Sequence, residues 1–164
     1  MSVWSRVDPV EAAIVRKFMS TPPVRVGEVA DALGIDVVRA PLPPKISGLI
    51  QPFENGRSGY QIKVNKYEVP ERQRFTIAHE IGHFLLHKEE IRSGVVDSIM
   101  YRSTLTSRKE AEANRMAADI IMPSLLVTQE LERRGGVKDA DTVDELAALF
   151  KVSSPAMKVR LGIA

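Results

Sequence analysis

The amino-acid sequence predicts an α+β fold: a small antiparallel sheet of about three strands that packs on a helical core and is followed by C-terminal helices. Two observations predict it. Between residues 35 and 65, β-branched runs are bounded by proline and glycine, and one of them alternates apolar and polar residues, as strands do. Before and after that region, apolar residues recur every three or four positions, which is typical of amphipathic helices. The 164 residues are enough for one domain with a proper core.

Two helices are predicted before the sheet. The first begins at Pro9, a residue suited to the first helical turn, with Asp8 as its N-cap, and it runs to about Met19. The segment "STPP" then interrupts the periodicity. The second helix occupies "VRVGEVADALGI" and ends near Gly34, because glycine readily takes the left-handed backbone conformation that closes a helix.

The three predicted strands lie in "IDVVRAPL", "KISGLIQP" and "SGYQIKVN". The turn-forming sequence "ENGRSG" separates the second from the third, so we expect these two to form a hairpin. The polar connection between residues 87 and 107 is long enough to be a functional loop. From residue 70 onward the periodicity otherwise predicts helices only, over residues 70–87, 107–122, 124–134, 142–150 and 154–161.

Composition and charge exclude several classes of protein. The chain has no cysteine, so histidine and carboxylate are the strong metal ligands that remain. The N-terminal "MSVWSRVDPV" lacks the basic flank and apolar run of a secretion signal, and no apolar stretch approaches the length of a membrane span. We therefore expect a cytoplasmic protein with no membrane partner. The net charge of +2 comes without a concentrated basic stripe, so it does not indicate nucleic-acid binding.

All three histidines lie in the nine residues "HEIGHFLLH". On a helix, His79 and His83 are four residues apart and share one face, at a spacing that a single metal ion bridges. Glu80 is rotated from His79 by about 100°, so it borders the metal and suits a general base that activates water. The pattern H-E-x-x-H is the signature of zinc-dependent peptidases. The alternative, two partly buried histidines bonded to carbonyl groups, leaves Glu80 between them without a purpose.

Two further residues of this helix bear on the site. Gly82 lies in mid-helix, where glycine costs about 1 kcal/mol relative to alanine, and this indicates the close approach of a neighbouring helix. His87 lies on the same face, but eight residues separate it from His79, which is about 12 Å along a straight helix. We therefore interpret His87 as a surface residue or as one that contacts a ligand, and not as a ligand itself.

A third ligand should be a carboxylate, since a catalytic zinc usually has three protein ligands and no further histidine is available. The helix over residues 107–122 offers Glu110, Glu112 and Asp119. On a helical wheel Glu110 lies with the inward stripe of alanine and isoleucine, whereas Glu112 and Asp119 lie on the opposite, solvated side. Glu110 is therefore preferred, with Glu112 as the alternative. Asn114, on the inner face, is placed to hydrogen-bond a ligand imidazole.

The segments "YQIKVN", "RFTIAHEIGHFLLH" and "EAEANRMAADIIMP", in this order and spacing, resemble the ImmA/IrrE family of metallo-endopeptidases. The resemblance covers most of the chain. It implies a zincin-like, more narrowly gluzincin-like, core in residues 1–123, with His79, His83 and Glu110 as ligands and Glu80 as the general base. It also implies one divalent metal ion, for which Zn²⁺ is the first expectation and Mn²⁺ the alternative.

The resemblance further implies a task, the cleavage of a helix-turn-helix transcriptional repressor that relieves repression of mobile-element or stress genes. Within this interpretation the strand over residues 59–65 is placed to be an edge strand that holds an extended substrate beside Tyr60, Ile62 and Val64; the alternative is an ordinary strand of the sheet. Tyr60 and Tyr101 are the candidates for stabilising the transition state, and the sequence does not choose between them.

The C-terminal segment, residues 124–164, includes "TVDELAALFKVSSPAMKVRLG", which resembles two helices of a helix-turn-helix packed on the core. Lys151 stands where that turn usually has glycine, and the second helix offers only Lys158 and Arg160 as contacts to DNA. DNA binding is therefore less favoured than a packing module or a dock for the repressor. Two functional hypotheses remain: a peptidase, or a non-proteolytic metal-binding regulator that binds a repressor or DNA. Glu80 favours the first, because a binding module has no need for a general base.

Overall fold

The computed structural model describes residues 2–92, 96–98 and 107–163. These residues form an α+β fold with a small sheet, which confirms the predicted class. The elements, in chain order, are the N-terminal 3₁₀ turn Val3–Arg6, α1 Pro9–Arg16, α2 Val26–Ala32, β1 Asp36–Ala40, β2 Gly48–Pro52, β3 Tyr60–Asn65, α3 Pro70–Leu86, α4 Lys88–Arg92, β4 Val96–Ser98, α5 Ser107–Ile121, α6 Ser124–Arg133, α7 Ala140–Phe150 and α8 Ser154–Arg160.

The predicted signals Asp8 and Gly34 mark the start of α1 and the end of α2. The Asp8 carboxylate caps α1 by accepting a hydrogen bond from the backbone N–H of Glu11 at 3.1 Å. The helix ends at Arg16, three residues before the predicted Met19, and single turns complete the segment. After α2, Gly34 takes a φ of 81°, as predicted for the residue that closes this helix.

The sheet has the order β1-β3-β2-β4 and is mixed, not antiparallel throughout. Strands β2 and β3 form the predicted antiparallel hairpin, but β1 runs parallel to β3. Strand β3 lies between β1 and β2, which the proline-rich connection over residues 41–47 joins. The Asn65 side chain holds this connection by donating to the carbonyl oxygens of Leu42, Pro43 and Ile46 at 2.9–3.2 Å.

Strand β3 is interior, so its predicted role as the edge strand for substrate is wrong. Both of its sides pair with neighbouring strands, and no backbone ladder remains there for an extended peptide. Tyr60, Ile62 and Val64 are buried in the core. Gln61, on the other face, is also buried, and its amide forms hydrogen bonds with Asp36 at 2.7 Å and with Gln51 at 2.9 Å.

The outer strands of the described sheet are β1 and β4. Strand β4 and the short helix α4 were not predicted.

Helix α3 is the centre of the molecule, and it is buried without interruption from Thr76 to Leu85. It contacts the sheet through β2 and β3, and it lies along α5. At the crossing with α5, a Cβ added to Gly82 would lie 3.0 Å from the Ala113 carbonyl oxygen and 3.3 Å from the Ala113 Cα. The close helix approach predicted from Gly82 is thereby confirmed, and it sets α3 and α5 face to face at the histidines.

The C-terminal helices join the same hydrophobic cluster as the rest of the chain, through buried Leu146, Phe150 and Met157. At the turn between α7 and α8, Lys151 takes a left-handed conformation with a φ of 54°, where a helix-turn-helix usually has glycine. Among the described helices, none combines the length and the apolar character needed to cross a bilayer.

Candidate metal centre

The crossing of α3 and α5 gathers His79, His83 and Glu110, the three side chains predicted as ligands. The Glu110 Oε1 atom lies 3.0 Å from His79 Nε2 and 3.4 Å from His83 Nε2. The two imidazole rings are nearly perpendicular, with centroids 4.7 Å apart, and one potential ligand atom from each of the three residues lies within 4.8 Å of the others. Both histidines are buried, and Glu110 is partly buried.

This donor set fits a divalent cation. Ligand atoms on a tetrahedron with metal bonds of about 2.0–2.2 Å lie roughly 3.3–3.6 Å apart. The distance of 3.4 Å from Glu110 to His83 agrees with that spacing, and the 3.0 Å to His79 is slightly shorter. The second carboxylate oxygen of Glu110, Oε2, is buried and accepts no hydrogen bond from the described residues. A cation bound at this cluster would offset the cost of burying that oxygen.

The electrostatics of the cluster favour the metal-binding form of two of its three side chains, His83 and Glu110. Burial lowers the pKa of His83 to about 4; repulsion from His79 contributes, and the hydrogen bond with Glu110 opposes it. Burial raises the pKa of Glu110, but the hydrogen bonds and charges of the two histidines outweigh this and hold it well below its usual value. Burial lowers the pKa of His79, yet Glu110 and Glu80 outweigh burial and leave it raised. At neutral pH, His83 is therefore neutral and Glu110 ionised, which are the forms that bind metals.

Glu80 lies on the face of α3 next to the two histidines and is fully buried. Its negative charge acts on His79, whose pKa it raises. The carboxylate is thus close to the candidate ligands without belonging to the cluster, as the spacing within H-E-x-x-H predicts.

Each of the two histidines is also held at its second ring nitrogen. The His79 Nδ1 atom lies 2.8 Å from Asn114 Oδ1, so the structure places Asn114 in the predicted contact. The His83 Nδ1 atom lies 2.9 Å from His87 Nδ1. His87 is buried, so the interpretation as a surface residue is wrong, and the ring that it contacts is that of His83, one of the predicted ligands.

The side of α5 that bears Glu112 and Asp119 is less exposed than the helical wheel predicts. Glu112 accepts a hydrogen bond from Arg6 and lies 2.9 Å from His87 Nε2, and only 13% of its side chain is exposed. Asp119 accepts hydrogen bonds from Trp4 Nε1 and Arg160 Nη2, each at 3.1 Å. The expected solvated side is wrong for both, because the wheel describes one helix and not the 3₁₀ turn and α8 that cover it.

The remaining candidates are the two tyrosines predicted to stabilise the transition state. Tyr60 packs edge to face on Phe84, with ring centroids 5.4 Å apart, beside a groove of about 550 Å³ that Lys88 and Arg92 also line. Tyr101, the other candidate for stabilising the transition state, lies outside the described residues.

Of the two predicted DNA contacts, one is engaged within the fold. Arg160 donates to Asp119 at 3.1 Å and to the Met122 carbonyl oxygen at 2.8 Å, which anchors α8 to the end of α5. Lys158 is exposed.

Comparisons with known proteins identify the family of this chain. The model of the peptidase M78 family, described as the IrrE N-terminal-like domain, matches residues 30–162. The chain is 35% identical over 127 residues to the radiation response metalloprotease IrrE of Deinococcus radiodurans, covering 77% of this chain and 36% of that protein's length. It is 28% identical over 127 residues to metallopeptidase ImmA of Bacillus subtilis, covering 77% of this chain and 69% of that protein.

A solved structure supports the fold alone. A transcriptional regulator of Mycobacterium tuberculosis superposes with a TM-score of 0.57 at 17% identity, over 97% of this chain and 48% of that one. The family model matches 30–162 and therefore includes α3 and α5, the helices that bear the histidines and Glu110. The chain thus belongs to the ImmA/IrrE family of metallopeptidases.

Proposed function

We propose that this protein is a metal-dependent endopeptidase. The observation that carries the proposal is the grouping of His79, His83 and Glu110 around one point, with the carboxylate of Glu80 buried beside them. A module that only binds another macromolecule would not need a buried carboxylate next to a metal site. Membership of a metallopeptidase family supports the same conclusion.

The proposed metal ion is Zn²⁺, with Mn²⁺ as the alternative. Two imidazole nitrogens and one carboxylate are a donor set used by catalytic zinc sites, and His79, His83 and Glu110 would hold the ion. When bound, such a cation polarises the scissile carbonyl group and lowers the pKa of a water molecule to about 7.

Glu80 is the proposed general base. Its carboxylate takes one proton from the attacking water as the water oxygen bonds to the carbonyl carbon of the substrate. It then returns that proton to the amide nitrogen as the carbon–nitrogen bond breaks, which leaves a free carboxyl group and a free amine. Burial keeps Glu80 away from bulk water, and Asn114 orients the His79 ring through the 2.8 Å contact.

The proposed substrate is a helix-turn-helix repressor in the cytoplasm, as the resemblance to the family implies. Cleavage would relieve repression of the genes that the repressor controls. Strand β4, and not β3, is the proposed support for an extended stretch of the substrate. It lies at an edge of the described sheet, pairs only with β2 among the described strands, and contacts α3, the helix of the two histidines.

Incubation of the purified protein with Zn²⁺ or Mn²⁺ and a candidate repressor, such as one encoded beside it, tests this function. We expect one discrete cut that Glu80→Gln abolishes while binding of the metal persists, because the amide keeps the shape of Glu80 but takes no proton. Glu89→Gln is a matched control on α4, since the Glu89 side chain is exposed and pairs only with Arg92 in the described contacts. Repressor release without cleavage, equal in the wild type and Glu80→Gln, would favour the non-proteolytic regulator.

A further inference from the structure

A continuous line of polar contacts runs from His83 to the N-terminal 3₁₀ turn. The His83 Nδ1 and His87 Nδ1 atoms are 2.9 Å apart, and His87 Nε2 is 2.9 Å from Glu112 Oε1. Arg6 donates from Nη1 to Glu112 Oε2 at 2.5 Å and from Nη2 to Oε1 at 3.3 Å. We infer that His87, Glu112 and Arg6 are positioning residues, which hold the His83 ring in the one protonation pattern that can bind metal through Nε2. The inference rests on the proposed function, in which His83 is a ligand.

The chemistry of imidazole decides which atom donates and which accepts in each hydrogen bond of this line. When His83 Nε2 uses its lone pair for a metal ion, the ring proton resides on Nδ1, which then donates to His87 Nδ1. His87 must therefore carry its own proton on Nε2, and that atom faces the carboxylate of Glu112. A carboxylate behind the imidazole fixes its tautomer and raises the basicity of a ligand, and here a second imidazole lies between the two.

The contact between His83 and His87 forms where α3 ends. The backbone N–H of His87 still donates to the His83 carbonyl oxygen at 2.7 Å, but His87 has left the helical conformation, with φ −132° and ψ 38°. The two ring centroids are 5.1 Å apart, with a 50° angle between the rings. His87 is 2% exposed, so few water molecules can replace His83 as its partner.

The outer end of the line depends on residues that precede the family match. The match begins at residue 30, whereas Arg6 belongs to the 3₁₀ turn. That turn is fixed on α5, because Val3 is buried and Trp4 Nε1 donates to Asp119 at 3.1 Å. A second cation, Arg108, has its Nε 3.8 Å from Glu112 but is 87% exposed. Arg6 therefore contributes the better-placed positive charge behind the carboxylate.

The affinity for Zn²⁺, measured by competition with a chromophoric chelator, tests the inner part of the line. We expect His87→Phe to bind Zn²⁺ roughly 10–100-fold more weakly, the usual cost of losing a hydrogen-bond partner of a ligand. His87→Gln should recover most of this loss, since its amide oxygen can accept from His83 Nδ1 as that of Asn114 does from His79. A purely structural role would not give this rescue, and equal losses in both variants would overturn the inference.

Long-range ¹H–¹⁵N NMR of the Zn²⁺-loaded wild type gives the second readout. We expect protons on His83 Nδ1 and His87 Nε2, and a proton on His87 Nδ1 would overturn the proposed direction. Because this readout requires no cleavage, a protein that binds Zn²⁺ but cuts nothing would contradict the proposed function and still decide the inference.

Two variants nearer the surface test the outer part of the line and also serve if His87→Phe does not fold. Glu112→Gln should weaken Zn²⁺ binding less than His87→Phe and more than Arg6→Gln, because each step lies one contact further from the ligand. Arg57→Gln is the matched control, since it removes an arginine that pairs with Asp31 at 2.9 Å, away from the site. If Glu112→Gln and Arg6→Gln bound Zn²⁺ as tightly as Arg57→Gln does, the outer residues would have no positioning role.

Discussion

Glu110 serves both histidines with one oxygen atom. Its Oε1 lies within 3.4 Å of each Nε2 atom, and Oε2 is buried beside them. The interactions of the histidines with this carboxylate outweigh its burial, which is why the pKa of Glu110 is lowered although burial alone would raise it. Removing the charge but not the shape of Glu110 therefore separates its proposed role as a metal ligand from its role in packing.

We expect Glu110→Gln to bind Zn²⁺ more weakly by a larger factor than the roughly 10–100-fold typical of an outer hydrogen-bond partner. An amide is a poor ligand for zinc, and the two imidazoles alone leave the ion without a third strong protein donor. Isothermal titration calorimetry with Zn²⁺ measures the change. Glu132→Gln, an exposed position on α6, is the control, and equal affinities in the two variants would contradict the assignment of Glu110.

The sequence predicts which side chains share one face of a helix, because that depends on the helix alone. The i to i+4 spacing places His79 and His83 on one face, and a helical wheel selects Glu110 and Asn114 over the other polar residues of α5. The burial of His87 depends on a helix end and on a contact with another element, which a straight-helix calculation does not include. The pattern of residues along one helix can be read from its own sequence. Which other elements pack on that helix and bury its side chains cannot.

The crossing of α3 and α5 determines the geometry of the site at the scale of elements. Gly82 allows the crossing, because a Cβ there would lie 3.0 Å from a backbone oxygen and 3.3 Å from the Met116 Cβ. The neighbouring atoms belong to the backbone and the first side-chain carbon of α5, which move only if the helix moves. A displacement of α5 by a few tenths of an ångström also moves Glu110 relative to the histidines.

Gly82→Ala is therefore expected to lower both stability and affinity for metal. Overpacking costs about 1–3 kcal/mol, and the better helix propensity of alanine returns about 1 kcal/mol, so the free energy of unfolding should fall by roughly 0–2 kcal/mol. Zn²⁺ binding should weaken as well, because α5 carries Glu110. Urea unfolding and Zn²⁺ titration measure the two effects.

Gly27→Ala is the matched control for this prediction. Gly27 is also in a helix, and a Cβ added there would meet no atom within 4 Å. This variant should gain up to about 1 kcal/mol in unfolding free energy and bind Zn²⁺ as the wild type does. A stabilised Gly82→Ala protein with unchanged affinity would show that the crossing tolerates a methyl group.

Strands were predicted less completely than helices, and the reason is non-local. The existence of β1, β2 and β3 follows from β-branched runs, but their order involves contacts distant in sequence, such as the hydrogen bonds from Asn65 to the connection over residues 41–47. The alternation in β3 is typical of a strand with one exposed face, yet Gln61 is buried through hydrogen bonds to both neighbouring strands. Strand β4 has only three residues within a polar segment, too few for a period to be recognised.

At the scale of the whole molecule, one side chain links the N-terminal segment, the histidine helix and the C-terminal helices. Arg74 of α3 donates to the Val24 carbonyl oxygen at 3.0 Å, and to those of Phe150 and Lys151 at 3.2 Å each. The last two carbonyl groups lie at the end of α7, where a helix leaves acceptors without intrahelical partners. The C-terminal helices are thus attached to α3 five residues before the first histidine.

We expect Arg74→Ala to lower the free energy of unfolding by about 1–3 kcal/mol, because two of the three carbonyl groups that it serves are partly buried and lose their donor. Arg72→Ala is the matched control on the same helix. The Arg72 side chain is half exposed and lies 3.7 Å from Glu68, so its loss should change stability by less than about 0.5 kcal/mol. Urea denaturation of both variants measures the difference, and Zn²⁺ affinity should be unchanged in each, since neither side chain has a contact with the three proposed ligands among the described hydrogen bonds and ion pairs. A loss of Zn²⁺ affinity in Arg74→Ala at full stability would mean that the C-terminal helices act on the metal site directly, and not only by supporting the fold around it.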